Sequence, residues 1–341
     1  MMDSQKGSLC ELSEKIIRPR LCVTCGACVG YCPYLEYKDG RVLVLDQCQV
    51  LNGTCNLICP QLNLLKLGVE EQEANPNETF LIARSTNQEI LFNAQYGGVV
   101  STIISYLLEE RIIDSAVLTN RGGEGSSRGT LVKSKEQALS CAGSRYTASG
   151  TLSALNIALK NKEKKIGVVG LPCQMKAVSL MEKHGRLEGA EIVKIGLFCT
   201  WALDYREFES LMKEVSFKPN KFDIPPPPAN VFVVQGKEER LEIPLEKLRP
   251  AIQTGCAICP DMTAQHGDIS VGAAEGIEGY NTVIIRTKKG QDILDECSKK
   301  ALLELKPLPQ ENLLHLKEAS NNKRQRAILR LKERNSNEGT Q

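Results

Sequence analysis

Two things are scarce in this chain of 341 residues: an excess of charge of one sign, and long apolar runs. Lysine and arginine number 43 against 41 aspartates and glutamates, a net of +2, so the imbalance that marks a dedicated nucleic-acid or polyanion binder is missing. The longest apolar stretch, residues 97–108, is broken by serines and a threonine and falls short of the roughly 20 residues a membrane-spanning helix needs. The first eight residues are polar and carry no signal-peptide core. These absences predict a cytoplasmic protein without direct membrane insertion, which reaches the inner face of a membrane only through a partner complex. With 42% hydrophobic and 25% charged residues the composition is that of a globular protein, long enough for about two domains plus small modules.

What is abundant is cysteine. Fourteen cysteines in a small secreted chain would be a disulfide framework, but here 11 of the 14 stand in metal-type spacings. The densest run is Cys22-Val-Thr-Cys25-Gly-Ala-Cys28-Val-Gly-Tyr-Cys32-Pro33, followed by Cys48, Cys55 and Cys59-Pro60. Three cysteines spaced by two residues can turn their thiolates onto one face of an iron–sulfur cube. A further cysteine just before proline points at a neighbouring cube, as in two-cluster bacterial ferredoxins. Zinc also takes paired CxxC motifs, but successive two-residue gaps followed by Cys-Pro are not its habit. Crossed ligation assigns Cys22, Cys25, Cys28 and Cys59 to one cube and Cys32, Cys48 and Cys55 to the other. The second is one thiolate short, because the position three after Cys48 is Leu51. Cys10, a non-cysteine ligand, a three-iron cluster, or a single cluster in this segment are the open alternatives, and two clusters with an unusual second site is the preferred reading.

Residues 1–20 read as a lead-in helix broken at Arg18-Pro19, and residues 21–66 as a compact ferredoxin-like module. A polar linker over 72–78 then sets a domain boundary near 67–80. Beyond it, Gln95-Tyr-Gly97-Gly98-Val-Val opens an apolar helix. Paired glycines there leave free N–H groups that suit a phosphate or a flavin edge, though a glycine turn capping a core helix explains them equally. Residues 112–119 read as a strand, and the glycine-serine loop over 121–129 is too long for a tight turn. Ser144-Arg145-Tyr146, with Ser149 ahead of the apolar helix 152–159, makes a candidate diphosphate cradle, with simple capping by Ser149 as the alternative.

Residues 165–170, a turn, and a helix through 183 form a strand–loop–helix unit; with 191–197 as the next strand they argue for an α/β core with parallel pairing. Cys173 falls at the helix start, where a thiol's pKa is lowered, and Cys199 at a strand's carboxyl end, where α/β sheets place their sites. Cys256-Ala-Ile-Cys259 completes a set of four thiolates, enough for one [4Fe-4S] cube or one structural zinc. A proline run at 225–228 stiffens the approach to a small β region over 231–234 and 241–243, and residues 268–272 and 282–286 read as a closing pair of strands before a helix over 291–303. From 310 onward leucines alternate with lysines and arginines: a basic amphipathic helix, either a solvated face or a docking surface for an acidic partner, with 335–341 disordered. Cys10, Cys141 and Cys297 read as small buried hydrophobes.

Pro172-Cys173-Gln174 also matches the nucleophile motif of cytosine-5 DNA methyltransferases, but no downstream Glu-Asn-Val and no basic excess accompany it. Jointly, Gln95-Tyr-Gly-Gly-Val-Val, Val169-Gly-Leu-Pro-Cys173-Gln, Ile195-Gly-Leu-Phe-Cys199, Gly255-Cys-Ala-Ile-Cys259-Pro-Asp, Asp268-Ile-Ser-Val-Gly and Thr282-Val-Ile-Ile-Arg-Thr make the chain resemble the family of coenzyme F420-reducing hydrogenase/dehydrogenase β subunits over about residues 80–305. The fused cysteine module makes it most similar to electron-input subunits of F420H2 dehydrogenases of methanogenic and related archaea. The resemblance implies a mixed α+β and α/β fold, an N-terminal bacterial ferredoxin-like module joined to an α/β flavin-binding core, with a basic helical tail over 306–341. It implies an oxidoreductase that takes hydride from reduced coenzyme F420 onto FAD, a [4Fe-4S] cluster on Cys173, Cys199, Cys256 and Cys259, and two or three clusters in all. Electrons then leave singly for ferredoxin or a membrane-bound respiratory complex. The rival within the family is a member that draws electrons from ferredoxin to reduce F420 or a small organic substrate; a structural zinc protein is the rival outside it. Flavin contacts are expected at Gly97, Gly98, Ser144, Arg145, Tyr146 and Ser149. The acidic tail of F420 is expected near Arg84, Arg128, Lys176 or Arg286, and no residue is expected to act as acid or base, because hydride transfer between two rings needs positioning above all.

Overall fold

The computed structural model describes residues 7–69, 78–122, 126–225 and 229–338. The chain begins with a helix, Ser8–Leu12, that continues as a π-helical turn, Ser13–Ile17, and stops ahead of Pro19. A short hairpin follows, β1 (Leu35–Lys38) with β2 (Arg41–Val44), then helices Thr54–Ile58 and Pro60–Leu67. Proline at the first position of the last helix has no N–H to leave unpaired, and Cys59 caps it, its Sγ accepting from the Leu62 N–H at 3.4 Å.

The core is one mixed sheet built from β3 (Thr79–Ser85), β4 (Ser115–Arg121), β5 (Ser127–Val132), β6 (Lys165–Gly170) and β7 (Glu191–Leu197), with three later strands added to it. A separate antiparallel sheet of β8 (Lys221–Asp223), β9 (Val231–Gln235) and β10 (Arg240–Pro244) precedes those strands, which are β11 (Ile269–Ala273), β12 (Asn281–Ile285) and β13 (Leu303–Pro307). The order across the large sheet is β13-β3-β12-β11-β7-β6-β4-β5. Its centre, β11-β7-β6-β4, is parallel, and the outer strands pair antiparallel. Apolar sequences such as Ile-Gly-Val-Val in β6 suit strands covered on both faces. One face packs on helices Val99–Glu109 and Lys288–Lys299 through Ile103, Leu107 and Leu294; the other packs on Leu152–Lys160 and Pro172–Lys183 through Leu155 and Val178.

Several expectations need correction. The strand expected at 112–119 runs over Ser115–Arg121, because Ile112 and Ile113 fold back to the Leu107 carbonyl and close the preceding helix. The supposed long loop at 121–129 is a hairpin between β4 and β5 in which the Gly122 N–H donates to the Ser126 carbonyl, and residues 123–125 lie outside the described residues. The helix expected at 291–303 is Lys288–Lys299, and residue 303 begins β13. The β11–β12 pair is therefore interior, not closing, since β3 and β13 extend the sheet beyond it. The linker at 72–77 and prolines 226–228 lie outside the described residues, as do 339–341 of the segment expected to be disordered, whereas 335–338 belong to helix Gln310–Glu338.

That last helix turns one stripe inward and leaves its other face exposed, Leu314 and Leu329 included. Its length of 29 residues corresponds to about 43 Å at 1.5 Å per residue. Leu313 and Leu316 pack near β3 beside Ile82 and Leu308, and Leu331 packs into the apolar cluster of the N-terminal unit with Leu9, Leu12 and Ile16. Lys323, Ala327 and Leu331, four residues apart and all buried, form its inward stripe. The helix is a strap across both regions.

The N-terminal unit also meets the core backbone to backbone. A Cβ on Gly26 would lie 2.5 Å from the Gly150 carbonyl oxygen, and one on Gly255 would lie 2.2 Å from that of Leu21. The Leu152 N–H donates to the Cys25 carbonyl at 3.0 Å, buried Asn156 donates to Ala27 and Val29, and the Gln61 amide bridges Leu21 and Gly255 at 2.9 and 2.8 Å.

Candidate functional site

Cys173 sits in the first turn of the helix that follows β6, and Cys199 two residues beyond β7, so adjacent parallel strands deliver both to the carboxyl edge of the sheet. Cys256 lies within the short 3-10 helix Thr254–Ile258 and Cys259 caps its end. The four are electrostatic neighbours: the Cys173 thiol is held well above its ordinary pKa by burial first, and then by Cys259, Cys25, Cys199 and Cys256. Burial pushes Cys199 up to about 11 and Cys256 up to about 12. The helix start was expected to lower the Cys173 pKa; desolvation and neighbouring thiols outweigh it. A thiolate ligand must lose its proton to bind, so this set favours the thiolate only once a metal centre supplies the opposing charge. The Ala202 N–H points at Cys256 Sγ at 3.4 Å.

Lys323 reaches the same place from the strap. It is 4% exposed, its Nζ donates to the Cys199 carbonyl at 2.7 Å, and although burial alone would lower its pKa, Cys259, Cys199, Cys256 and Asp261 together raise it. Buried Asp261 accepts from the Thr263 and Gln265 N–H groups. A buried lysine is costly unless anions surround it. Nothing in the sequence around Lys323 distinguishes it from the other basic residues of the tail, and the amphipathic pattern gives no sign of it.

Cys22, Cys25, Cys28 and Cys59 line a second, almost wholly apolar cavity with Leu12, Ile16, Val42 and Ile58. Burial raises the thiols of Cys22, Cys28 and Cys59 and takes Cys25 to about 12. Cys55 is raised to about 11, by burial and then by Cys32 and Cys48, so these three form a third group. The first two groups are neighbours, since Cys25 acts on Cys173. A cavity between them is lined by Pro60, Gln61, Cys173, Lys176, Cys259 and Arg324. Tetrahedral zinc draws its sulfurs to about 3.8 Å from one another, given Zn–S near 2.3 Å. Among the described residues no three His, Cys, Asp or Glu side chains group as ligands of one ion. A cube takes four thiolates, one on each iron, and these sets are all-sulfur. Of the remaining cysteines, Cys141 and Cys297 are buried as expected, but Cys10 is half-buried with its Sγ 3.5 Å from the Glu14 carboxylate.

The expected flavin contacts divide. The stretch at Gln95–Gly98 and the stretch at Ser144–Tyr146 meet around Asp223, which accepts from Gln95 Nε2 at 3.0 Å and Tyr96 Oη at 2.9 Å. Gly98 is left-handed (φ 71°) at the start of its helix, and a Cβ on Gly97 would meet the Ala83 carbonyl at 2.6 Å. Arg145 binds the Ser144 and Ala142 carbonyls, and its Nε and Gln95 Oε1 are buried without a partner. Orphaned polar atoms beside a glycine turn fit the polar edge of a cofactor. Ser149 and the helix after it do not fit a diphosphate. Ser149 Oγ pairs with Thr151 Oγ1 at 2.7 Å, and the Leu152, Ser153 and Ala154 N–H groups are taken by the Cys25, Gly150 and Thr151 carbonyls. Tyr146 packs edge-on against Phe232 in an aromatic cluster.

Of the basic residues considered for an anionic tail, Arg286 is internal, bound to Glu78, Ser270 and Thr263. Arg84 lies over the Tyr280 ring, Arg128 is exposed on β5, and Lys176 alone of the four lines the cavity at Cys173. Among the described residues no helix is long and apolar enough to cross a membrane.

Two models of the coenzyme F420 hydrogenase/dehydrogenase β subunit match this chain, the N-terminal model over residues 80–156 and the C-terminal model over 163–311. The coenzyme F420-dependent sulfite reductase of Methanocaldococcus jannaschii is 31% identical over 326 residues, covering 89% of the chain but 50% of the reductase, so the chain spans about half the length of that relative. An F(420)H(2) dehydrogenase subunit of Methanosarcina mazei is 29% identical, and the match covers 82% of the chain and 83% of that protein. Coverage this large exceeds what residues 80–341 can supply, so both likenesses reach into the N-terminal unit. A chain in the F420-reducing [NiFe] hydrogenase complex from Methanosarcina barkeri superposes with a TM-score of 0.71 at 27% identity, over 78% of this chain and 95% of that one.

Proposed function

The chain belongs to the family of coenzyme F420 hydrogenase/dehydrogenase β subunits, and from that premise we propose that it is an oxidoreductase that takes hydride from reduced coenzyme F420 and passes the electrons on singly to a partner. The observation that carries this reading is a pair of adjoining cavities that share Pro60 and Gln61, one lined by Cys22, Cys25, Cys28 and Cys59 and the other by Cys173 and Cys259. Bound FAD accepts an electron pair as hydride and gives electrons up one at a time to [4Fe-4S] clusters, a conversion that thiolate sites alone cannot make.

The chain's own residues supply position and insulation. The backbone at Gly97 and Gly98, with Gln95 and Arg145, holds the flavin's polar edge, and Tyr96 and Asp223 fix that wall. Cys173, Cys199, Cys256 and Cys259 would hold the inner cluster, and buried Lys323 with the Cys256-directed N–H of Ala202 would offset its negative charge. Gln61 locks the N-terminal unit at a fixed separation from that site, and the N-terminal cysteines lead outward to ferredoxin or to a component of a membrane-bound complex. The expected readout is a protein that, purified without oxygen, is brown, contains flavin, and reduces a one-electron dye with F420H2. Colourless zinc-loaded protein, or iron–sulfur protein lacking flavin, overturns the reading.

A further inference from the structure

The C-terminal strap, Gln310–Glu338, is held by different means along its length. Near its start Leu313 and Leu316 pack with Ile82 and Leu308. Over residues 317–336 the only buried side chains are Lys323, Ala327 and Leu331: one cation, one methyl group and one leucine. The strap lies against the 3-10 turn that carries Cys256, and Arg324, next to Lys323, lines the cavity at Cys173 and Cys259.

Lys323 decides whether that stretch docks. An ammonium has three protons to donate, and among the described residues this one gives a hydrogen bond to a neutral acceptor, the Cys199 carbonyl at 2.7 Å, and forms no ion pair with a carboxylate. Asp261 acts on it only through space, because its two carboxylate oxygens accept from the Thr263 and Gln265 N–H groups, each at 3.0 Å. Burying an ammonium without a full counter-ion costs more than one leucine and one alanine return. Four thiolates bound to a cluster supply the missing negative charge at this place.

We propose that residues 317–336 form a latch that closes over the inner site only when Cys173, Cys199, Cys256 and Cys259 hold their cluster, the buried Lys323 being the residue that senses it. The inference rests on the reading of those four cysteines as an iron–sulfur site. It goes beyond that reading by making the fold itself report whether the site is filled. Leu331, on the same stretch, packs with Leu9, Leu12 and Ile16. An open latch therefore also gives up its hold on the N-terminal unit, and the route to the outer cysteines is braced only in a chain whose inner centre is in place.

The test is hydrogen–deuterium exchange of the full chain, purified without oxygen, in wild type, C256A and C256A/K323M. Wild type is expected to protect the amides of 317–336. C256A, which lacks an inner ligand, is expected to exchange them at least about tenfold faster while β6 and β7 stay protected. C256A/K323M is expected to regain protection, because no buried charge then needs a counter-ion. Equal protection of the strap in wild type and C256A overturns the proposal. So does equally fast exchange in C256A and C256A/K323M, which would mean that the strap answers to general loosening and not to Lys323. If β6 and β7 also lose protection in C256A, wild type and K323M are compared before and after a chelator removes the iron, and the same two outcomes decide. Wild-type protein without iron–sulfur absorption fails the cluster reading itself. Cluster-loaded protein whose strap is indifferent to iron fails this inference alone.

Discussion

The inner and outer thiol groups are built by opposite means. The inner group draws Cys173, Cys199, Cys256 and Cys259 from the ends of two sheet strands and a 3-10 turn, and closes them with Lys323 from a helix more than sixty residues further on. The outer group, Cys32, Cys48 and Cys55, comes from one short stretch around a small hairpin, next to a loop whose Val50 and Leu51 are half exposed. The inner site is thus specified by the whole fold and the outer one by local chain. A long-range site cannot lose a member without disturbing the sheet edge that presents it; a local one tolerates a missing ligand.

The largest contrast is expected from ligand removal. C256A should lower F420H2-driven dye reduction by at least about 100-fold, beyond the 10–100-fold that follows loss of a mere supporting partner. C48A, stripping the outer group, should leave the same assay within a few-fold. Equal losses in the two variants would erase the distinction between the sites.

Next in size is the cation. K323M removes the buried positive charge beside the inner thiols, and the cluster bound there should become harder to reduce by about tenfold, roughly 59 mV for one electron, read by a redox titration followed by EPR. K323R should restore much of it, and superimposable titrations would show that Lys323 only packs. Deleting residues 310–341 should impair both dye-linked activity and transfer to the partner. The strap carries Lys323 into the inner site and Leu331 into the N-terminal unit, so these losses should not separate.

The seam between the regions comes third. Gln61 is 3% exposed and its amide satisfies two carbonyls, Leu21 on one side and Gly255 on the other. Q61L leaves both buried acceptors unpaired, which costs about 1–3 kcal/mol. A shift of the denaturation midpoint with an unchanged slope would confirm the cost, and no shift would mean that the seam is held by the glycine contacts alone.

The same contrast explains what the sequence disclosed. Cysteine spacing is local, so the CxxC pairs and the groups they form were legible at once. Lys323 was not, because its partner Cys199 lies 124 residues away and an amphipathic pattern does not say what covers the helix. Strand β13 was missed, only its first residue being read into the preceding helix, since Leu-Glu-Leu-Lys-Pro carries no strong strand signal; as an edge strand it tolerates Pro307. The Ser149 end of the expected diphosphate cradle was read from an equally local pattern. A small-residue turn before an apolar helix marks a helix N-terminus, but its occupant proved to be the Cys25 carbonyl, brought by a different part of the fold.

The smallest effect tests whether the outer region depends on its surface. Burial alone would raise the pKa of Glu11, but hydrogen bonds and charge from Lys66 and Lys15 outweigh it and hold it below the ordinary carboxylate value. Its other oxygen accepts from Asn56, the residue after Cys55, at 2.6 Å. A depressed folded-state pKa contributes stability that is fully present above the unfolded value and is lost as pH falls through the folded one. E11Q should therefore cost no more than about 1 kcal/mol at neutral pH. The difference from wild type should shrink in strong salt and close in acid, once wild-type Glu11 is itself protonated. The inner site should show the weaker dependence in the same titration, because Lys323 beside it is 4% exposed and Asp261 is buried. A matching salt and pH response around Cys256 would mean that water reaches the inner thiols as freely as the outer ones, and the contrast between the two would then be one of connectivity alone.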